Sequence, residues 1–332
     1  MLGSALMAIS LLRFDLRRAP FSPVDHTALY RAALEMAEYA DARGVTGISL
    51  SEHHAADDGF LPSPLVFAAA LAGRTKNVRI TISALLATLY DPVKLAEDLA
   101  VLDLASRGRV STTLGMGYRP EEYASFGRDF TARGKLLDEC IELLLRAWSG
   151  EPFEWRGRSV RVTPRSHTQP HPPINAGGQS LAGARRAARY GLPYQPASND
   201  REMIALYISE CARLGKKPVV LPPGNGETIW IARDPDRAWR ELGPYLLYEA
   251  TTYSSWQPAY QQSSSVHSQA KSQGDLRAEG KYRVLTPEQC VARAKEQGPY
   301  ATFVLYPLCG GTPPELGWES VRLLCDEVLP RV

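Results

Sequence analysis

The 332-residue chain is short of several things, and each shortage removes a class of function. Its formal charge is only +2, too little to draw nucleic acid or an acidic membrane surface by long-range attraction. No apolar run reaches the ~18–20 residues that a membrane-spanning helix needs. The apolar opening "MLGSALMAISLL" has no basic leader and no small-residue cleavage site, so it reads as a first strand and the expectation is a cytoplasmic protein with no membrane span. Five cysteines, at 140, 211, 290, 309 and 325, are scattered without a CxxC pair, which argues against a disulfide framework or a cysteine zinc site. The HExxH pattern is missing, and no turn carries a complete GxGxxG fingerprint for a dinucleotide.

What is present is alternation. Short β-type runs take turns with segments of helical period, the pattern of βα units around a parallel sheet. Strands are expected at 8–14, 46–50, 78–85, 109–117, 173–178, weakly near 191–197, and then at 227–233 and 301–308. Helices are expected at 25–44 with a glycine stop at Gly44, and at 91–108 with Asp91 as N-cap and Pro92 in the first turn. Others follow at 63–75, 133–148, 180–191, 200–214, 235–250 and 318–329. Eight such units favour an α/β fold of the (β/α)8 TIM-barrel type, a single domain over 1–332, rather than an open sheet. Residues 151–172 form an arginine- and proline-rich surface excursion. The stretch 251–282, rich in serine and glutamine, has no apolar period and is expected to be a mobile lid or an insertion.

In a barrel the reactive groups gather at the carboxyl ends of the strands, so three loops carry the chemistry. The second strand ends in Glu52-His53-His54, the fourth in Gly115-Met116-Gly117-Tyr118-Arg119, and the fifth in Gly177-Gly178-Gln179-Ser180. Gly177, Gly178 and Ser180 open a helix, and freed amides, a hydroxyl and the positive helix end would suit a phosphate. The same residues would also make an ordinary serine-capped turn. Adjacent residues on a strand point to opposite faces, so His53 and His54 would rarely share one ion, and no metal site is expected. One imidazole facing the mouth would be a general base or a hydrogen-bond donor.

At this point the ordered segments "SEHHAADDGFLPSPLVFAAALAGRTKNVRI", "LYDPVKLAEDLAVLDLASRGRVSTTLGMGY" and "PINAGGQSLAGARRAARYG" resemble the bacterial luciferase-like, flavin-dependent oxidoreductases. The last βα unit, "TPEQCVARAKEQGPYATFVLYPLCGG…SVRLLCDEVLP", is similar as well. The resemblance implies a barrel that binds FMN, or in one branch the deazaflavin F420, in its mouth. It places His53 at the position of a catalytic histidine, with Glu52 and His54 completing the motif. Ser83 and Ala84 match a non-prolyl cis peptide behind the flavin ring, and Gly117 and Tyr118 match the loop beside it. Gly177, Gly178 and Ser180 match a phosphate-binding turn. Met116 replaces an arginine that luciferases place on the FMN phosphate, so that grip is either missing or supplied by another residue such as Arg119.

The implied activity is a monooxygenase that uses reduced FMN and O2 to oxygenate a small organic substrate. With no nicotinamide fingerprint in the chain, reduced flavin would come from a separate flavin reductase. A homodimer is implied as well, and 251–282 stands where luciferases carry a lid. Tyr118, Tyr253 and Trp256 would shape the substrate space. Two alternatives stay open: F420-dependent hydride transfer without oxygen, which the arginine-rich composition suits, and a flavin-binding protein without turnover, against which the complete Glu-His-His motif argues.

Overall fold

The computed structural model describes residues 8–223, 227–257, 267–298 and 301–332. The expected units appear in order: β1 (Ile9–Phe14), α1 (His26–Asp41), β2 (Gly47–Leu50), α2 (Pro64–Arg74), β3 (Arg79–Leu86), α3 (Pro92–Ser106) and β4 (Val110–Gly115). A short α4 (Pro120–Ser125) and a long α5 (Arg133–Ala147) follow, then an outlying hairpin of β5 (Phe153–Trp155) and β6 (Arg158–Val160), the surface excursion expected there. The barrel resumes with β7 (Ile174–Gly178), α6 (Leu181–Tyr190), β8 (Tyr194–Pro196), α7 (Arg201–Arg213), β9 (Thr228–Ile231) and α8 (Pro235–Trp256). It ends with α9 (Gln273–Glu279), β10 (Tyr282–Leu285), α10 (Pro287–Gln297), β11 (Thr302–Leu305) and α11 (Pro314–Arg322).

Local chemistry sets the boundaries. The side chain of Asp91 accepts from the Val93 and Lys94 amides with Pro92 behind it, and Gly44 adopts φ +83° just past α1. The parallel strands pair in the order β10-β9-β11-β1-β2-β3-β4-β7-β8. At the β8 end, Tyr194 makes a parallel bridge to Val220, with backbone bonds through Val219 and Leu221. At the other end of the order β9 pairs with both β10 and β11, and the arrangement is that of a (β/α)8 barrel.

Register sorts the side chains. Phe14, Leu50, Ile82, Thr112 and Ile174 lie in one row across five strands, all buried on the side that carries the helices. The alternate row, Arg13, Ser49, Thr81 and Ser111, takes the opposite face, toward the barrel interior. That row is polar where barrels of this type are usually filled by branched aliphatics. Asn175 crosses to it, its amide donating to Ser111 Oγ at 3.0 Å.

The structure adds elements to the sequence reading: the β5–β6 hairpin, the helices α4, α9 and α10, and one strand of the main sheet. A ninth strand, β10, lies outside the eight expected, and it was hidden because only Val284 of its four residues is buried, which leaves no apolar run. The stretch 251–282 supplies the last turns of α8, all of α9 and the start of β10, while residues 258–266 lie outside the described residues. No helix among the described residues is long and apolar enough to cross a membrane.

Candidate active site

All the parallel strands end on one rim, and there the loops after β2, β3, β4, β7 and β8 enclose a cavity of about 200 Å³. Glu52 and His53 form one wall, Gly177 and Gly178 another, with Ser83, Ala84, Thr113, Gly115 to Tyr118, Gln195 and Tyr253 between them. The histidine turn and the glycine turn therefore face one shared space.

The Glu52-His53-His54 turn splits as adjacent residues on a strand end must. Glu52 is buried and takes three donors: the Leu86 amide at 2.6 Å, the Tyr90 hydroxyl at 2.6 Å and His54 Nε2 at 2.9 Å. It ties the end of β2 to β3 and to His54. The His54 ring packs on Phe126, while the carbonyl accepts from Arg119 at 2.8 Å. His53 alone of the pair lines the cavity. Its Nδ1 lies 2.7 Å from Glu122 Oε1, and its Nε2 lies 3.4 Å from the Tyr118 hydroxyl. Phe60, Tyr118, Tyr253 and Trp256 stand edge-on around the ring at 4.8–5.7 Å. Burial holds the His53 pKa below its usual 6.5 and outweighs the pull of Glu122 upward, so the ring is neutral at pH 7.

The floor is polar. The Ser83–Ala84 peptide is cis, as the resemblance implied. Ser83 Oγ donates to Gln195 Oε1 at 3.1 Å, and Thr113 Oγ1 donates to the same oxygen. Gly115 lets β4 close on this point, since a Cβ there would sit 2.8 Å from Ala84 Cβ. Gly117 turns the chain at φ +72°. On the opposite wall a Cβ on Gly177 would meet Thr113 Cγ2 at 3.0 Å. One on Gly178 would meet Gly183 Cα at 3.3 Å, so glycine allows the α6 N-terminus to close on β7. Ser180 stands outside the cavity wall, its side chain accepting from the Gly183 amide at 3.2 Å.

Arg119 lies away from that turn. Its guanidinium sits 4.2 Å from the centre of the Trp256 ring and 3.5 Å from Glu122, and it lines a neighbouring cavity with Phe130 and Arg133. Among the described residues no group of His, Cys, Asp and Glu is arranged to hold a metal ion. Among the residues of the site missed in the sequence are Glu122 and Gln195. Glu122 follows "GMGYRP" as the third residue of α4, a carboxylate one helical turn past the loop. Gln195 is the polar inward residue of the weak sixth strand, and only its register against Gly177 reveals it.

These walls fit a flavin. The glycine turn and α6 N-terminus suit a phosphate, and the polar floor and aromatic side suit a tricyclic ring. Comparison with known proteins agrees. The family description "luciferase-like monooxygenase" matches residues 15–298. The oxygenase component of flavin-dependent trigonelline monooxygenase from Acinetobacter baylyi is 32% identical over 153 residues, covering 44% of this chain and 42% of that protein. The chain spans about half the length of the curated relatives it matches. Monooxygenase RslO1 from Streptomyces bottropensis superposes with a TM-score of 0.76 at 26% identity, covering 97% of this chain and 99% of that one. The oxygenating constituent of 3,6-diketocamphane monooxygenase from Pseudomonas putida, solved with FMN, shares the fold at a TM-score of 0.73 and 17% identity, covering 98% and 99%. An F420-dependent secondary alcohol dehydrogenase shares it at 0.65 and 17%, also covering 98% and 99%. The chain belongs to the luciferase-like monooxygenase family.

Proposed function

We propose that this protein is the oxygenase component of a flavin-dependent monooxygenase, taking reduced FMN from a separate reductase and using O2 to oxygenate a small organic substrate. The observation that carries this is the cavity shared by His53 on one wall and Gly177 and Gly178 on another. The FMN-bound relative of the same fold and the oxygenase-component relative support it.

Bound reduced flavin would supply the electrons that activate oxygen. The protein's own contribution follows from its residues. Gly177, Gly178 and Ser180 would hold the phosphate through backbone amides and the α6 N-terminus. Ser83, Ala84, Gly117 and Tyr118 would flank the ring. His53, neutral and with Nε2 toward the cavity, would move the proton at the reacting centre. Glu52, His54 and Arg119 would brace that histidine. Tyr253 and Trp256 cover it with apolar surface, and a lid over 251–282 would complete the exclusion of water. A homodimer is part of the proposal, supported by exposed Val66 on α2 and Val101 and Leu104 on α3, two helices packed against each other.

The test is cofactor choice. Purified protein is titrated into FMN and into F420 while quenching of their fluorescence is followed. Saturable FMN binding is expected. Saturable F420 binding with none to FMN would replace this reading with hydride transfer.

A further inference from the structure

We infer that Glu122 is the positioning residue of His53: its buried carboxylate takes the Nδ1 proton, so that the imidazole offers an unprotonated Nε2 to the cavity and becomes a stabilised imidazolium when that nitrogen gains a proton. The inference deepens the proposed function, because it rests on His53 being the proton-handling group.

Glu122 lies on α4, behind the Gly117 turn and Pro120. Its side chain is fully buried, so its charge needs compensation from nearby donors. One oxygen, Oε1, collects them: His53 Nδ1 at 2.7 Å, the His54 amide at 3.1 Å and Arg119 Nη1 at 3.5 Å. An oxygen already facing an amide proton and a guanidinium is an acceptor on this side and not a donor. A histidine nitrogen 2.7 Å from it must carry a proton, because two lone pairs at that distance would repel. That fixes the tautomer. Nε2, at 3.4 Å from the Tyr118 hydroxyl, is too far for a firm hydrogen bond and remains free to accept.

Among the described residues, the charged and titratable groups facing His53 come from four directions. Glu122 and Arg119 approach from α4 and its cap, Tyr118 from the preceding loop, Tyr253 from α8 and Arg17 from beyond β1. Phe60 and Trp256 fill the remaining sides with apolar edges. Among the described residues Glu122 is the one anion in contact with the ring. In the step itself a substrate O–H or N–H bond breaks, its electron pair stays with the substrate, and the proton goes to Nε2. Nδ1–H remains bonded to Glu122 throughout, and the imidazolium later returns its proton to water.

The experiment is 15N NMR of histidine-labelled full-length protein across pH 5 to 9, with His53→Ala to assign the resonance. The wild type is expected to show the Nδ1–H tautomer at His53; the Nε2–H tautomer would overturn the inference without any variant being needed. In Glu122→Gln the His53 pKa is expected to fall by about one unit, a tenfold loss of proton affinity, with the tautomer mixed or reversed. Glu122→Asp should restore most of both. An unchanged pKa and tautomer in folded Glu122→Gln, whatever its melting temperature, would reduce Glu122 to a structural brace and refute the inference. The underlying reading fails by a separate route: full oxygenating turnover by His53→Ala would remove His53 from the chemistry while leaving the tautomer result intact.

Discussion

Replacing Arg17 by methionine removes a cation from one of the driest places in the molecule. The Arg17 side chain is 0% exposed and that of Asp58 is 3% exposed, with Nη2 and Oδ2 2.8 Å apart. Arg17 Nε donates to the same oxygen at 2.8 Å. Methionine would fill much of the volume but leave Asp58 with only the Tyr248 hydroxyl at 3.1 Å and the Phe60 amide at 3.2 Å. Breaking a buried pair from one side costs about 3–5 kcal/mol, because the remaining charge is uncompensated. At about 2 °C per kcal/mol, the lower end for large domains, the melting temperature should fall by roughly 6–10 °C. The cation–π contact to Trp256, with the guanidinium 4.6 Å from the ring centre, is lost as well, so indole emission should change in the folded state. Differential scanning fluorimetry of Arg17→Met, Asp58→Asn and the double variant measures the coupling. The double variant should lie above Arg17→Met, since it removes the stranded charge. A fall of less than 2 °C for Arg17→Met, or a double variant equal to the sum of the singles, would refute the argument that these two buried charges compensate each other.

Other consequences follow from the same geometry. Burial pushes the Asp15 carboxyl up to about 6 from 3.8, with Arg17 opposing. A raised carboxyl pKa favours the fold below the unfolded value and withdraws that support as pH rises through 6. Asp15→Asn should therefore gain on the wild type between pH 4 and 6 by up to about 3 kcal/mol; melting curves that stay parallel over that range would contradict it. Gly178→Val places a branched side chain against Gly183 and should push α6 from β7. FMN affinity should drop at least about tenfold, about 1.4 kcal/mol, while riboflavin, which lacks the phosphate, is unaffected; equal losses in the two titrations would move the phosphate elsewhere.

The order of the barrel could be read in the chain because each strand places apolar residues on the buried row that faces the helices, and several helices carry a cap or stop that side-chain chemistry dictates. Asp91, Gly44 and Ser180 are such signals. The strand β10 could not be read, since a four-residue edge strand with one buried residue has no period to detect. At the site, the histidine doublet and the glycine turn stood out as residue types that strand ends do not need for packing. Glu122 and Gln195 did not, because their meaning lies in whom they touch: a histidine 69 positions away for one, and a serine 112 positions away for the other. His53 was named through the resemblance, and the structure places it, with Glu52, on the cavity wall while His54 packs on Phe126.

The most direct measurement is a crystal structure of the protein soaked with FMN. The account predicts the phosphate against the amides after Gly177, and the ring between His53 and the Ser83–Ala84 peptide. A flavin bound outside that cavity, or one whose phosphate sits on the His53 side, would contradict it.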